Sequence, residues 1–152
     1  MKLRYTSLHG ARLARPRAGD AGYDLRAVAG YILTPGQQRE IHTGLCLEIT
    51  RPWWLRMLRA LRVPVDLTAR IEDRSSRAAG RLYIHGRIID WGYRGEVIVL
   101  LENSSLRPVT IAAGERIAQL VIGLAFCPPV EEAASLRPTE RGAAGFGSTG
   151  AA

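Results

Sequence analysis

The chain has 152 residues, 47% of them hydrophobic and 23% charged, which fits one globular domain with a real core and excludes collagen-like, coiled-coil and disordered readings. Twenty-one basic against 14 acidic residues give a formal charge of +7, and every basic residue except Lys2 is Arg. The Arg fork suits phosphate and carboxylate oxygens, but G+C-rich codon usage also yields such totals, so each Arg must be argued by its place.

Met1-Lys2-Leu3-Arg4-Tyr5 lacks the apolar region of a signal peptide, and no apolar run approaches the roughly 20 residues that cross a bilayer, so a cytoplasmic location is expected. Ala21-Gly22-Tyr23-Asp24-Leu25 places an acid beside a glycine. Alternation over Arg39–Ile49 predicts a strand. Arg51–Arg62 predicts a short amphipathic helix with Pro52 in its first turn and Pro64 beyond its end. Trp54, Leu58 and Leu61 fall on one face and Arg56, Arg59 and Arg62 on another. Such a face is expected to sit in water; an acidic partner or a membrane surface is the alternative.

Val65–Glu72 alternates cleanly as a strand and ends at Arg74-Ser75-Ser76, a charge and two hydroxyls that can bind an oxyanion. Ile88-Ile89-Asp90-Trp91-Gly92-Tyr93-Arg94-Gly95 puts an acid after an apolar strand, then a Gly-containing turn. Val97–Leu101 and Ile117–Ile122 read as buried strands. Pro35-Gly36, Asn103-Ser104-Ser105 and Ala113-Gly114-Glu115 mark turns. Cys46 and Cys127 sit among apolar residues; two cysteines build neither a disulfide framework nor a thiolate zinc site, so both are expected as buried small hydrophobes. Arg141–Gly150 has four glycines in ten residues. Its backbone N–H groups, Ser148, Thr149 and Arg141 can cradle phosphate while Phe146 stacks on a base. Many short strands at regular spacing predict an all-β sandwich or barrel.

Taken in order, AGYDL (21–25), RSS (74–76), IIDWGYRG (88–95), GERIAQL (114–120) and RGAAGFGSTG (141–150) resemble the five motifs of the trimeric dUTPase family. The resemblance implies a distorted β-barrel or jelly roll over 1–140 and a mobile arm, 141–152, closing on a neighbouring site. It implies Mg²⁺-dependent hydrolysis of dUTP to dUMP and pyrophosphate by a homotrimer. Asp90 would be the general base. Tyr93 would pack on the deoxyribose, and the backbone through Gly86, Arg87, Ile88 and Ile89 would read uracil. Arg74, Ser75 and Ser76 would hold phosphates, and Asp24 and Gln119 would support the metal–triphosphate through water. Arg141 would bind the γ-phosphate with Gly147, Ser148 and Thr149, while Phe146 covers the base.

Three departures stand out. Arg87 occupies the place of the family's usual glycine, with Gly86 one step earlier; RSS is preceded by Glu72-Asp73, where the family often has proline, and followed by Arg77-Ala78-Ala79; and 49–62 is an insertion expected to lie outside the chemistry. Two other readings compete. DLTARIEDRSS also resembles dCTP deaminase, with Glu102 two residues beyond the expected Glu position at Leu100; a deaminase or bifunctional enzyme follows from that. A non-enzymatic nucleotide-binding regulator is the other. No basic patch interleaved with aromatics is present, so stable nucleic-acid binding is not expected.

Overall fold

The computed structural model describes residues 1–14, 16–76 and 80–143. Among the described residues the elements in chain order are β1 (Lys2–Ser7), β2 (Tyr23–Arg26), β3 (Tyr31–Leu33), β4 (Gln38–Thr50), α1 (Trp53–Ala60), β5 (Val65–Glu72), β6 (Leu82–His85), β7 (Ile88–Asp90), β8 (Glu96–Asn103), β9 (Val109–Ile111) and β10 (Arg116–Phe126). They form two four-stranded sheets, β1-β4-β8-β6 and β2-β10-β5-β7, and the pair β3-β9. Every pairing is antiparallel. No sheet closes on itself, so the architecture is a distorted, jelly-roll-like packing of sheets.

The alternating strands explain the layers. β8 buries Val97, Val99, Leu101 and Asn103 and turns the intervening residues outward. β5 buries Val65, Leu67, Ala69 and Ile71, and both sheets contribute to one hydrophobic core. Asn103 is fully buried in that core but satisfied. Its amide nitrogen donates to the carbonyls of Leu33 (2.9 Å) and Arg107 (2.8 Å), and its Oδ1 accepts from the Ser105 N–H at 3.0 Å. It therefore ties three connections together at no cost in unpaired polarity.

Gly44 interrupts the long β4. The β4–β8 register shifts between His42 and Cys46, and Gly44 sits at φ +68 with its place for a Cβ only 2.6 Å from the Leu8 carbonyl oxygen. Both the left-handed backbone and the close approach require glycine.

The helix differs from the expected Arg51–Arg62. It runs Trp53–Ala60, and Pro52 is its extended N-cap. It closes in a Schellman arrangement, with the Val63 N–H donating to Leu58 O at 3.0 Å and the Arg62 N–H to Arg59 O at 2.9 Å. Arg62 takes the left-handed position at φ 61. The buried face also differs. Leu55 is fully buried, with Trp54 and Leu58 packed at the edge of the core, whereas Leu61 is 69% exposed. The chain has already left the helix at Leu61, so its side chain does not continue the Trp54–Leu58 stripe. A second correction concerns the cysteines. Cys46 is half-buried and Cys127 is exposed, because Cys127 follows the last strand, where the apolar run no longer packs on a sheet.

Candidate active site

β2, β10 and β5 lie side by side, and their register puts Asp24, Gln119 and Glu72 in one row across the sheet. At this end of the sheet a cleft of about 560 Å³ opens, lined by Asp24, Arg26, Arg74, Ser75, Ser76, Arg116 and Gln119 among others. Four arginines and two aspartates line it, so the cleft is net positive and suited to a polyanion. Asp24 accepts from the guanidinium groups of Arg74 and, at 3.3 Å, Arg116. One carboxylate thus holds two arginines in place, Arg74 just after β5 and Arg116 at the start of β10. Gln119 donates to the Asp73 carbonyl at 3.1 Å, and Gly22 makes that position possible: a Cβ there would stand 3.0 Å from Gln119 Oε1. Ser75 and Ser76 are exposed at the cleft's edge. Nothing in GERIAQL assigns Arg116 a role, because its ion pair with an acid 92 residues earlier is invisible until the sheet forms.

Asp90, Tyr93 and Gly86 stand apart from this cleft. β7 is an edge strand joined to β5 by three register pairs, Thr68–Asp90, Ala69–Ile89 and Arg70–Ile88. Thr68 lies four residues before Glu72 on the same face of β5, about 13 Å along the strand. Asp90 is exposed at the end of β7 and closes a turn by accepting the Tyr93 N–H at 3.0 Å. Tyr93 is partly exposed and its hydroxyl donates to Glu96 O at 3.0 Å, fixing the ring. Ile88 is 67% exposed beside Gly86, which turns the chain at φ +61.

The Arg87 side chain points back into the fold. Its Nε donates to Ile84 O at 3.1 Å, one Nη donates to Glu72 at 3.1 Å, and the other pairs with Asp73. The Arg87 carbonyl accepts the Ile71 N–H at 2.8 Å. Arg87 is thus a strut that fastens the hairpin to β5.

Glu102 belongs to the other sheet. It takes hydrogen bonds from Ser104 (2.6 Å) and Gln38 (3.2 Å), and its Oε2 lies 2.7 Å from His85 Nε2. These partners, Ser104 first, hold its carboxyl below the usual range. Arg141 is exposed. Phe146, Gly147, Ser148 and Thr149 lie outside the described residues.

Asp24 is the one carboxylate at the cleft that the sequence assigns to a metal, and among the described residues no three His, Cys, Asp or Glu side chains group to hold an ion. The described residues alone build no metal cage. The oxygen donors do fit Mg²⁺ carried on a polyphosphate, since Mg²⁺ keeps its waters and uses one or two carboxylates plus substrate oxygens.

Comparison with known proteins agrees with the motifs. The dUTPase family model matches residues 50–150. A deoxyuridine 5′-triphosphate nucleotidohydrolase of Anaeromyxobacter sp. is 39% identical over 99% of this chain and 97% of its own length. Another from Methylocella silvestris is 41% identical over 95% and 88%. The dUTPase of Staphylococcus bacteriophage 80alpha, solved with dUpNHpp, shares the fold at a TM-score of 0.81, with 24% identity over 99% of both chains. With its motifs in register, its jelly-roll sheets and a family match over two thirds of its length, the chain belongs to the dUTPase family.

Proposed function

We propose that this chain hydrolyses dUTP to dUMP and pyrophosphate, with attack of water on the α-phosphorus. The observation that carries this reading is the cationic cleft built by Asp24, Arg74, Arg116 and Gln119, in a chain whose relatives are dUTP nucleotidohydrolases. Arg74 with Ser75 and Ser76 binds phosphate oxygens and neutralises charge. Asp24, fixed by two arginines, receives the metal–triphosphate through water with Gln119. Mg²⁺, when bound on the triphosphate, supplies further neutralisation of the phosphate oxygens.

Asp90 is the general base in this proposal. Its carboxylate accepts the proton of the attacking water, and no nucleophilic side chain is needed. Tyr93 packs on the deoxyribose and leaves no room for a 2′-hydroxyl. The hairpin through Gly86, Ile88 and Ile89 presents its backbone to uracil, and Arg87 holds that hairpin rigid. The two halves of the site lie about 13 Å apart along β5 and the cleft lining excludes Asp90. That separation supports a site completed between copies of the chain, a homotrimer, with the arm 141–152 of a further copy binding through Arg141, Phe146, Gly147, Ser148 and Thr149. The place of action is the cytoplasm.

Incubation with Mg²⁺ and each of dUTP, dCTP, dTTP and UTP, with product identification, tests the reading. Pyrophosphate and dUMP from dUTP alone are expected. Release of ammonia from dCTP, or equal turnover of UTP, contradicts it.

A further inference from the structure

Trp91 follows Asp90 directly and is gripped from two sides. Its indole N–H donates to Ile49 O at 2.9 Å, and the Arg51 guanidinium carbon lies 3.4 Å from the centre of its ring. At that distance the planar cation stacks on the indole face. Arg51 is itself fixed as a bidentate partner of Asp66, with Nε to Oδ1 at 2.8 Å and Nη2 to Oδ2 at 2.5 Å. Asp66 also accepts from the Leu67 N–H at 2.8 Å and from Arg59 of α1 at 2.5 Å. The Arg51–Asp66 pair is about four-fifths buried on both sides, so it holds its geometry better than a surface pair. Beyond Trp91, Arg94 closes the turn by donating to the carbonyls of Trp91 (2.9 Å) and Tyr93 (2.8 Å).

Asp90 needs such support. It ends a three-residue edge strand, and the chain beyond it leaves the sheet. Beyond the strand its backbone is held by the Tyr93 N–H on its carbonyl and by the anchored Trp91 that follows it. We infer that Arg51, locked by Asp66, is a positioning residue for Asp90 and acts through Trp91. The segment 49–62, expected to lie outside the chemistry, then contributes to it through its first residues. This rests on the reading of Asp90 as the base. None of Arg51, Asp66 or Trp91 lines the cationic cleft, so their loss is felt in the chemical step and not in binding of the triphosphate.

The test is steady-state dUTP hydrolysis, with Mg²⁺, by full-length Arg51→Gln, Arg51→Lys, Trp91→Phe and the Arg51→Gln/Trp91→Phe double variant. Small misplacement of a catalytic group costs up to about 10²-fold, so Arg51→Gln is expected to lower kcat about tenfold with KM within twofold. Arg51→Lys recovers part of that loss, because an ammonium still pairs with Asp66 and sits over the ring. The two sites act in series, so the double variant loses no more than the worse single one. Trp91→Phe removes the N–H link to Ile49 and shrinks the ring under Arg51, and serves if Arg51→Gln does not fold; it also lowers kcat selectively. A kcat loss below threefold in the folded variants, a loss carried by KM, or additive losses in the double variant overturns the inference. Asp90→Asn in the same assay separates the failures. If it hydrolyses dUTP normally, the site reading is wrong; if it is inactive while Arg51→Gln is normal, only the positioning role is wrong.

Discussion

Replacing Arg87 with Met separates a strut from a substrate contact. The change keeps the aliphatic stem and removes the guanidinium that ties Ile84 O, Glu72 and Asp73 to the hairpin. The Arg87 and Glu72 side chains are 40% and 34% exposed, and Asp73 is 19% exposed. The Glu72 pair, screened by water, contributes about 0.5 kcal/mol. The more buried Asp73 pair is a charge-assisted bond and contributes about 1–2 kcal/mol. Two adjacent carboxylates are also left facing each other. The sum is about 2 kcal/mol, or roughly 4–8 °C in Tm for a domain of this size. Thermal unfolding and dUTP kinetics on the same preparation check it. The account predicts a lowered Tm together with a raised KM, because the loosened hairpin binds uracil less well. An unchanged Tm with a raised KM would show that the Arg87 side chain reaches substrate, and the strut would be wrong.

Arg62 holds a left-handed Schellman position that glycine adopts freely, so Arg62→Gly should raise stability by about 0.5–1 kcal/mol with turnover unchanged, read by denaturant titration. The Asp66 carboxyl is held below its ordinary value of 3.8, chiefly by its hydrogen bond to Arg51 and against the effect of burial. A lowered folded-state value means that its stabilisation is complete above the unfolded value and is lost as pH falls through the folded one. Asp66→Asn should therefore reduce stability at pH 7 by about 1–3 kcal/mol and flatten the acid limb of the stability profile below about pH 4. Deleting 141–152 should leave the melting transition in place and lower kcat by at least about 10³-fold, as loss of a phosphate-neutralising Arg does in related reactions; full activity would refute an arm that closes the site.

The sequence carried the strands because their pattern is local. Val65–Glu72 was read with the bounds it has, and Val97–Leu101 and Ile117–Ile122 lie inside longer strands. The five motifs were legible for the same reason, each being a short run. What stayed hidden depends on where distant segments meet. Leu61 was placed on the buried stripe by spacing alone, but the left-handed Arg62 ends the helix first. Arg87 stands in a legible motif, but the tie of its side chain to Glu72 and Asp73, 15 and 14 residues away, exists only in the fold. The grip of Ile49 and Arg51 on Trp91 spans about 40 residues and two strands, and no spacing rule announces it. The cleft shows the same division: Asp24 was expected at the metal–triphosphate, while its role in aligning Arg74 and Arg116 emerges only from the sheet.

Single-turnover hydrolysis of bound dUTP by Asp90→Asn, measured beside its dUTP affinity, tests the central claim most directly. The amide keeps the size of the carboxylate and the Asp90 carbonyl keeps its bond to the Tyr93 N–H, so the turn and the fold persist. Removal of a general base costs about 10²–10⁴-fold. The account predicts a hydrolysis rate reduced by that factor with affinity for dUTP and Mg²⁺ retained or slightly increased, since a negative charge near the triphosphate is gone. Hydrolysis near the wild-type rate by the folded variant would contradict it.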